Sequence, residues 1–194
     1  MFTVKIVGDG IARLEAAMDV VASDKMKKAY SRALNDTGKA TRKKTVAAVA
    51  KQVGLTQKVV SKRGGIATQI AYGNRLSYVI RANGGYLLLK DFKPTQFKKG
   101  VKASPWGPRR LFDGAFINKG VYGNVMHRSG KARPMKSGRY KGQVREPIEN
   151  MYGPAIPREI VQGAAKIAFE TTSAEVLPKR LAHHIKRATK GVVS

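Results

Sequence analysis

Cysteine is absent from this chain of 194 residues, and acidic side chains, tryptophan and long apolar runs are scarce. Without cysteine there is no disulfide framework, no thiolate metal site and no cysteine nucleophile. No apolar run approaches the roughly 18 residues that a membrane-spanning helix needs. The opening residues alternate apolar and polar side chains, so no signal peptide is expected there. These absences are compatible with folding in a reducing cytoplasm and predict no membrane contact.

The shortage of acids leaves the chain with a large positive charge. Asp and Glu number 12 against 38 Lys and Arg, which gives a formal net charge of +26. Such an excess repels itself and must be solvated, screened by salt or neutralised by a partner. Nucleic acid is one candidate partner, because contacts to phosphates release condensed counterions. An acidic protein surface in a larger assembly is the other, and composition does not choose between them.

Few side chains are suited to catalysis. His127 stands apart from His183 and His184, which are adjacent in sequence and so do not share a helix face. Glu146 and Glu149 form a close acidic pair, but many cations surround them and neutralisation is their expected role. The glycine-rich fragments match neither a P-loop nor a dinucleotide fingerprint. We therefore predict no catalytic residues, no metal or cofactor site, and no enzymatic activity.

The pattern of apolar residues changes along the chain. Residues 2–7 alternate as in a strand, and apolar residues then recur at helical spacing over 11–22 and about 24–53. A short helix or turn opens at Thr56, after which the period becomes two. The predicted strands are about 66–72, 76–82, 86–90, 112–117 and 121–127. Because their connections are too short for parallel crossovers, the sheet should be antiparallel.

Turn residues and prolines complete the predicted fold. Glycine and asparagine predict turns at 73–74, 83–85 and 118–120. Pro157 suits the first position of a final helix, which Pro178 should kink or interrupt. The expected fold class is α+β: an N-terminal strand and two helices, an antiparallel sheet with long basic loops, and a C-terminal helix. We expect residues 1–194 to form a single domain.

Two long segments fit no regular element and are predicted to be extended arms, at about 91–111 and 128–147. Their cations are the candidate contacts to a partner or to DNA: Lys98, Lys99, Lys102, Arg109, Arg110, Arg128, Lys131, Arg133, Lys136, Arg139, Lys141 and Arg145. Aromatic residues among cations can stack on single-stranded nucleic acid. Trp106, however, lies in a rigid Ser-Pro-Trp-Gly-Pro turn, so we expect it to anchor its loop to the core.

Short motifs follow one another in a fixed order through residues 25–165. They are Arg32–Thr37 (RALNDT), Gly54–Thr56, Phe92, Lys99–Ala103, Pro105–Gly107, Arg109–Arg110, Phe112, Gly114–Ile117, His127–Arg128, Pro147–Ile148, Tyr152–Pro154 and Ile156–Pro157. In order and spacing they resemble the phage minor tail protein Z family, the tail-completion proteins of long-tailed phages. The central loop is the most specific part of this resemblance.

The resemblance implies a virion component that acts late in tail assembly, at the head-proximal end of the tail or in the neck. There it would be needed for head–tail joining and DNA delivery. It also implies a homo-oligomeric ring, with six subunits the favoured number. The implied neighbours are the tail terminator and a head-completion or connector protein. No catalytic residues are carried over from the family.

Two alternatives stay open. One is a sequence-independent nucleic-acid-binding protein of the ribosome- or nucleoid-associated type, which would account for the basic arms but not for the family spacing. The other is an enzyme such as a nuclease or cell-wall hydrolase, which would need clustered acids or histidines. Within the tail hypothesis we favour acidic proteins as partners of most cations, because tight contacts to DNA would oppose its passage.

Overall fold

The structure, a computed structural model, describes residues 23–189. The predicted strand 2–7 and helix 11–22 lie outside the described residues. The described chain forms two compact units. The first, called the helical unit here, contains the described residues 23–44, 67–81 and 168–189. The second, the strand-rich unit, contains residues 45–66 and 82–167. That residues 1–194 act as one domain stays a prediction.

Helix α1 spans Asp24–Val53, as the sequence predicts. The carbonyl of Ser23 accepts bonds from the first-turn amides of Met26 and Lys27, at 3.0 and 3.2 Å. Gly54 ends the helix with a φ of 76°, a conformation that glycine adopts without steric cost. One face of the helix is buried, whereas most of its lysines and arginines are exposed. The buried residues of this face are Met26, Ala29, Ala33, Thr37, Thr41 and Ala50.

Helix α2 spans Gln57–Arg63 and begins where the sequence predicts. The Thr56 hydroxyl accepts a bond from the amide of Val59 at 3.4 Å, which satisfies one donor that the helix leaves unpaired. Val60 is fully buried and holds this short helix against the core of the strand-rich unit.

Twelve short strands follow, with one 3₁₀ turn at Leu89–Phe92. The strands are β1 Ile66–Gln69, β2 Val79–Ala82, β3 Tyr86–Leu88, β4 Thr95–Phe97, β5 Gly100–Ala103, β6 Arg110–Asp113, β7 Phe116–Asn118, β8 Asn124–Arg128, β9 Arg133–Pro134, β10 Val144–Arg145, β11 Ile148–Asn150 and β12 Tyr152–Ala155. They pair as β1–β2, β3–β12, β4–β5–β6, β7–β8–β11 and β9–β10. The pairings β3–β12, β4–β5–β6, β7–β8–β11 and β9–β10 are antiparallel.

The segment 91–111 is not the irregular arm that the sequence predicts. It contributes β4, β5 and the start of β6, because Val101 and Ala103 alternate with exposed residues and bury one face of the sheet. Gly100 permits the close approach of β6, since a Cβ there would lie 2.1 Å from the carbonyl oxygen of Phe112. The predicted strand 112–117 is divided by Gly114, whose φ is 67°.

One predicted strand pairing is also wrong. Strand β3 does not form a hairpin with β2 across 83–85; it pairs with β12, where Tyr152 lies opposite Leu88. The second arm, 128–147, is mostly irregular but contains the small β9–β10 ladder. A predicted hairpin is confirmed at β7 and β8, which the segment 119–123 connects.

The chain closes with two helices. Helix α3, Ile156–Glu159, has Pro157 in its first turn, as predicted. Helix α4 spans Gly163–Ala188 and contains Pro178 within it, so the predicted interruption does not occur. A proline removes one backbone hydrogen bond and crowds the preceding turn. Pro178 is exposed, so the carbonyl that loses its donor can bond to water instead. With helices and separate antiparallel sheets, the fold class is α+β, as predicted.

Candidate functional site

All twelve predicted cations are exposed, and all belong to the strand-rich unit. We call them the sheet cations. Within residues 23–189, only Arg128 of the twelve forms an ion pair, with Glu146 at 3.7 Å. An exposed pair of this kind contributes roughly 0–1 kcal/mol to stability. The unit therefore presents a positive surface that its own described acids leave largely uncompensated.

The strands β4, β5 and β6 position the sheet cations of segment 91–111. Lys98 and Lys99 form the turn between β4 and β5. The ammonium of Lys102 lies 4.7 Å from the centroid of the Phe97 ring, a cation–π contact. The Arg109 guanidinium donates to the Thr95 hydroxyl at 2.6 Å, which fixes the direction of this side chain. These cations are therefore held on a small sheet and not on a free loop.

Segment 128–147 places like charges next to each other. Arg133 on β9 and Arg145 on β10 are directly opposed across the ladder. Opposed like charges destabilise a strand pair unless something negative lies near them. The Tyr140 ring partly compensates, with the guanidinium carbons of Arg145 and Arg139 at 3.7 and 5.9 Å from its centroid. Such a ladder would gain stability from an anionic partner.

Trp106 is fixed mainly by polar contacts. Its side chain is 43% exposed, so its burial is only partial, although the neighbouring Pro105 is fully buried. Its backbone amide donates to the carbonyl of Val53 at 3.2 Å, next to the end of α1. Its indole N–H donates to a carboxylate oxygen of Glu159 at 3.1 Å. The anchoring role of Trp106 stays a prediction, but these bonds give it a physical basis in the turn.

Glu159 is a buried acid that no sequence motif singles out. It is 7% exposed and accepts bonds from Trp106 and from the Gln52 side-chain amide. A buried carboxylate is tolerated only when it is hydrogen-bonded, and both donors come from distant parts of the chain. Because such contacts depend on the tertiary fold, no local sequence pattern could have revealed them.

In the helical unit, the RALNDT segment has a structural role. The Asn35 side chain pairs with Ala71 in both directions: its oxygen accepts from the Ala71 amide at 2.8 Å, and its nitrogen donates to the Ala71 carbonyl at 2.9 Å. The Asp36 carboxylate lies 2.9 Å from Nε2 of His184 on α4. Gly38 lets the Tyr78 ring pack against α1, since a Cβ would lie 2.2 Å from that ring. The motif thus joins three parts of this unit.

His184 also lines a cavity between α1 and α4 that sequence reasoning missed. The cavity has a volume of about 270 Å³, and its other polar lining residues are Lys25, Lys28, Arg32 and Arg187. Lys25, Lys28 and Arg32 are exposed residues of α1. The spacing of His184 and Arg187, three residues apart on a helix, indicates that they share one face, but not that this face meets α1.

No metal-binding cluster of three or more acids or histidines occurs in the part of the chain that the structure describes. His127, on β8, lies 3.2 Å from the carbonyl of Arg128. The rings of His183 and His184 meet edge to face at 5.2 Å, but the ion pair with Asp36 is made by His184. Among residues 23–189, no helix is both long and apolar enough to cross a bilayer.

One comparison with known proteins gives a match. The sequence model of the family described as prophage minor tail protein Z matches residues 11–194, nearly the whole chain. No curated protein and no solved structure matches this chain.

Proposed function

The chain belongs to the prophage minor tail protein Z family, and from this premise we propose that it completes the head-proximal end of a phage tail. Membership makes it a structural component of the phage tail. The proposal adds a position, at the tail end or neck, and a task in head–tail joining and DNA delivery. It also adds a homo-oligomeric ring, with six subunits favoured, next to the tail terminator and a head-completion or connector protein.

The observation that carries the proposal is the uncompensated positive surface of the strand-rich unit. Eleven of the twelve sheet cations have no ion-pair partner among the described residues. Repeated around a ring, weak charge pairs could add up, and partial desolvation would strengthen each of them. Acidic faces of adjacent tail rings would supply the opposite charge. Most sheet cations are therefore assigned to protein partners, and few to DNA.

Sequence-independent nucleic-acid binding is the second candidate function. The opposed Arg133 and Arg145 favour it, because two guanidinium groups on one ladder can each contact a backbone phosphate. Tyr140 between cations could also stack on an exposed base. Against it, a ring of tight phosphate contacts would slow the passage of DNA through a tail. The two functions differ in which step fails when these charges are removed.

The test replaces Arg133, Lys136 and Arg139 together with serine in a phage that lacks its own copy of the gene. We expect particles in which this protein fails to attach and tails do not join heads, since the acidic contacts are lost. The matched control replaces Lys51, Lys58 and Lys62, three exposed lysines of the same unit that lie on its helices. That control should assemble normally.

Electron cryomicroscopy of complete particles gives the second readout. We expect a closed ring of identical subunits at the head-proximal end of the tail. Density elsewhere in the tail, or one asymmetric copy per particle, would contradict the proposal. Normal attachment of the triple serine variant with failed DNA retention or delivery would instead support the nucleic-acid function.

A further inference from the structure

The described charged residues that line the cavity between α1 and α4 of the helical unit are all basic. Its lining contains Lys25, Lys28, Arg32 and Arg187, four permanent cations, and the imidazole of His184. Among residues 23–189, no acidic side chain lines it, and the other described lining residues are the alanines Ala29 and Ala188. Small side chains between the cations leave the volume of about 270 Å³ open. The site is separate from the sheet cations, which all belong to the other unit.

Helix geometry brings these residues to one place. Lys25, Lys28 and Arg32 are spaced by three and four residues and therefore lie on one face of α1. His184 and Arg187 are three residues apart on α4 and share a face in the same way. The contact between the Asp36 carboxylate and Nε2 of His184, at 2.9 Å, holds α4 against α1 at this position. The cations are thus carried by helices and not by flexible loops.

The nearby acids do not neutralise this cavity. Asp24 pairs with Lys27 at 3.5 Å, and Asp36 pairs with His184. Within residues 23–189, none of the four cations of the lining forms an ion pair. Four positive charges around one opening repel each other, and an anion between them would remove that repulsion.

We propose that this cavity binds a phosphate group, either as a small phosphate anion or as part of a nucleic-acid backbone. A carboxylate would bring only one negative charge to four cations, whereas phosphates carry more charge or repeat along a chain. Arg32 and Arg187 can donate two parallel bonds to phosphate oxygens, and the lysines add point charges. This inference does not depend on the role of the sheet cations.

Pyrophosphate binding to the full chain tests the proposal. Replacing Arg32 and Arg187 together with glutamine should weaken binding about tenfold or more, since two charge-assisted donors are lost. The control replaces Lys39 and Lys43 with glutamine, which removes two exposed charges of α1 outside the cavity. Its affinity should stay within about twofold of the unchanged protein, because salt screens such distant charges. Absent binding of pyrophosphate, or equal weakening in both variants, would overturn the proposal.

Melting curves without ligand guard against a folding artefact. Removing like charges from the cavity should leave the melting temperature unchanged or raise it, while the stabilisation by pyrophosphate is lost. Should the double variant nevertheless be unfolded, Lys25→Gln, at the end of the helix, provides a milder change with a smaller loss of affinity. Unchanged pyrophosphate affinity in this variant would overturn the proposal.

Duplex DNA distinguishes the two sources of phosphate. If backbone phosphates occupy the cavity, the Arg32 and Arg187 variant should reduce the slope of log affinity against log salt by about one to two, while the control keeps its slope. A pyrophosphate defect with an unchanged DNA slope would assign the cavity to a small phosphate anion. Both outcomes support a phosphate site, and they differ in its ligand.

Discussion

Trp106 donates its indole N–H to the carboxylate of Glu159, which is itself buried. Replacing Trp106 with phenylalanine keeps an aromatic ring, although a smaller one, and removes this donor. The carboxylate would then rely on Gln52, and the free energy of unfolding should fall by about 1–3 kcal/mol. Urea denaturation measures this change. Tyr122→Phe is the matched control, because Tyr122 is 91% exposed and has no need of a buried partner.

An unchanged stability in Trp106→Phe would mean that the contact with Glu159 contributes nothing, and the anchor would then be Pro105. The Trp106→Ala variant should lose more than the phenylalanine variant, because it also loses ring contacts. With 43% of the side chain exposed, however, the loss should stay below the cost of a fully buried tryptophan.

At the scale of elements, Asn35 attaches the β1–β2 segment to α1 through both backbone groups of Ala71. Asn35→Asp keeps an acceptor for the Ala71 amide but loses the donor to its carbonyl. We expect faster hydrogen exchange at Ala71, with loss of about 1–2 kcal/mol of local stability. Asn74→Asp, at the exposed turn of the same segment, is the control. Equal exchange rates in both variants would contradict this role of Asn35.

Local patterns predicted the helices well and the strand partners poorly. The ends of α1 follow from Ser23 and Gly54, which act within a few residues. The partner of β3 is β12, more than sixty residues later in sequence, and no period within β3 contains that information. The three prolines of segment 91–111 favour a loop, and they outweigh the short apolar pattern of Gly100–Ala103.

The sequence likewise predicts some features of the candidate site and not others. Exposure of all twelve sheet cations could be predicted, since lysine and arginine are rarely buried without a partner. The sequence could not predict that Arg133 would face Arg145, because this depends on the register of a two-residue ladder. Nor could it predict the basic cavity, where α4 brings Arg187 to a face of α1 more than 150 residues away.

At the scale of the whole molecule, the net charge of +26 should make folding sensitive to salt. Because Lys and Arg outnumber Asp and Glu by 38 to 12, repulsion between cations exceeds the attraction that salt would weaken. Raising sodium chloride from about 0.1 to 1 M shortens the screening length from about 10 to 3 Å. We therefore expect the melting temperature of the isolated protein to rise with salt over this range.

The salt effect should shrink when charge is removed, because it arises from like-charge repulsion. A second variant tests this. Replacing Lys51, Lys58 and Lys62 with glutamine lowers the net charge and leaves the cavity and the sheet cations unchanged. This variant should start from a higher melting temperature at low salt and gain less from added salt. A melting temperature that falls with salt in the unchanged protein would mean that attractive pairs dominate its electrostatics. In an assembled tail, acidic neighbours would take the place of salt, and the same repulsion would favour assembly over the free subunit.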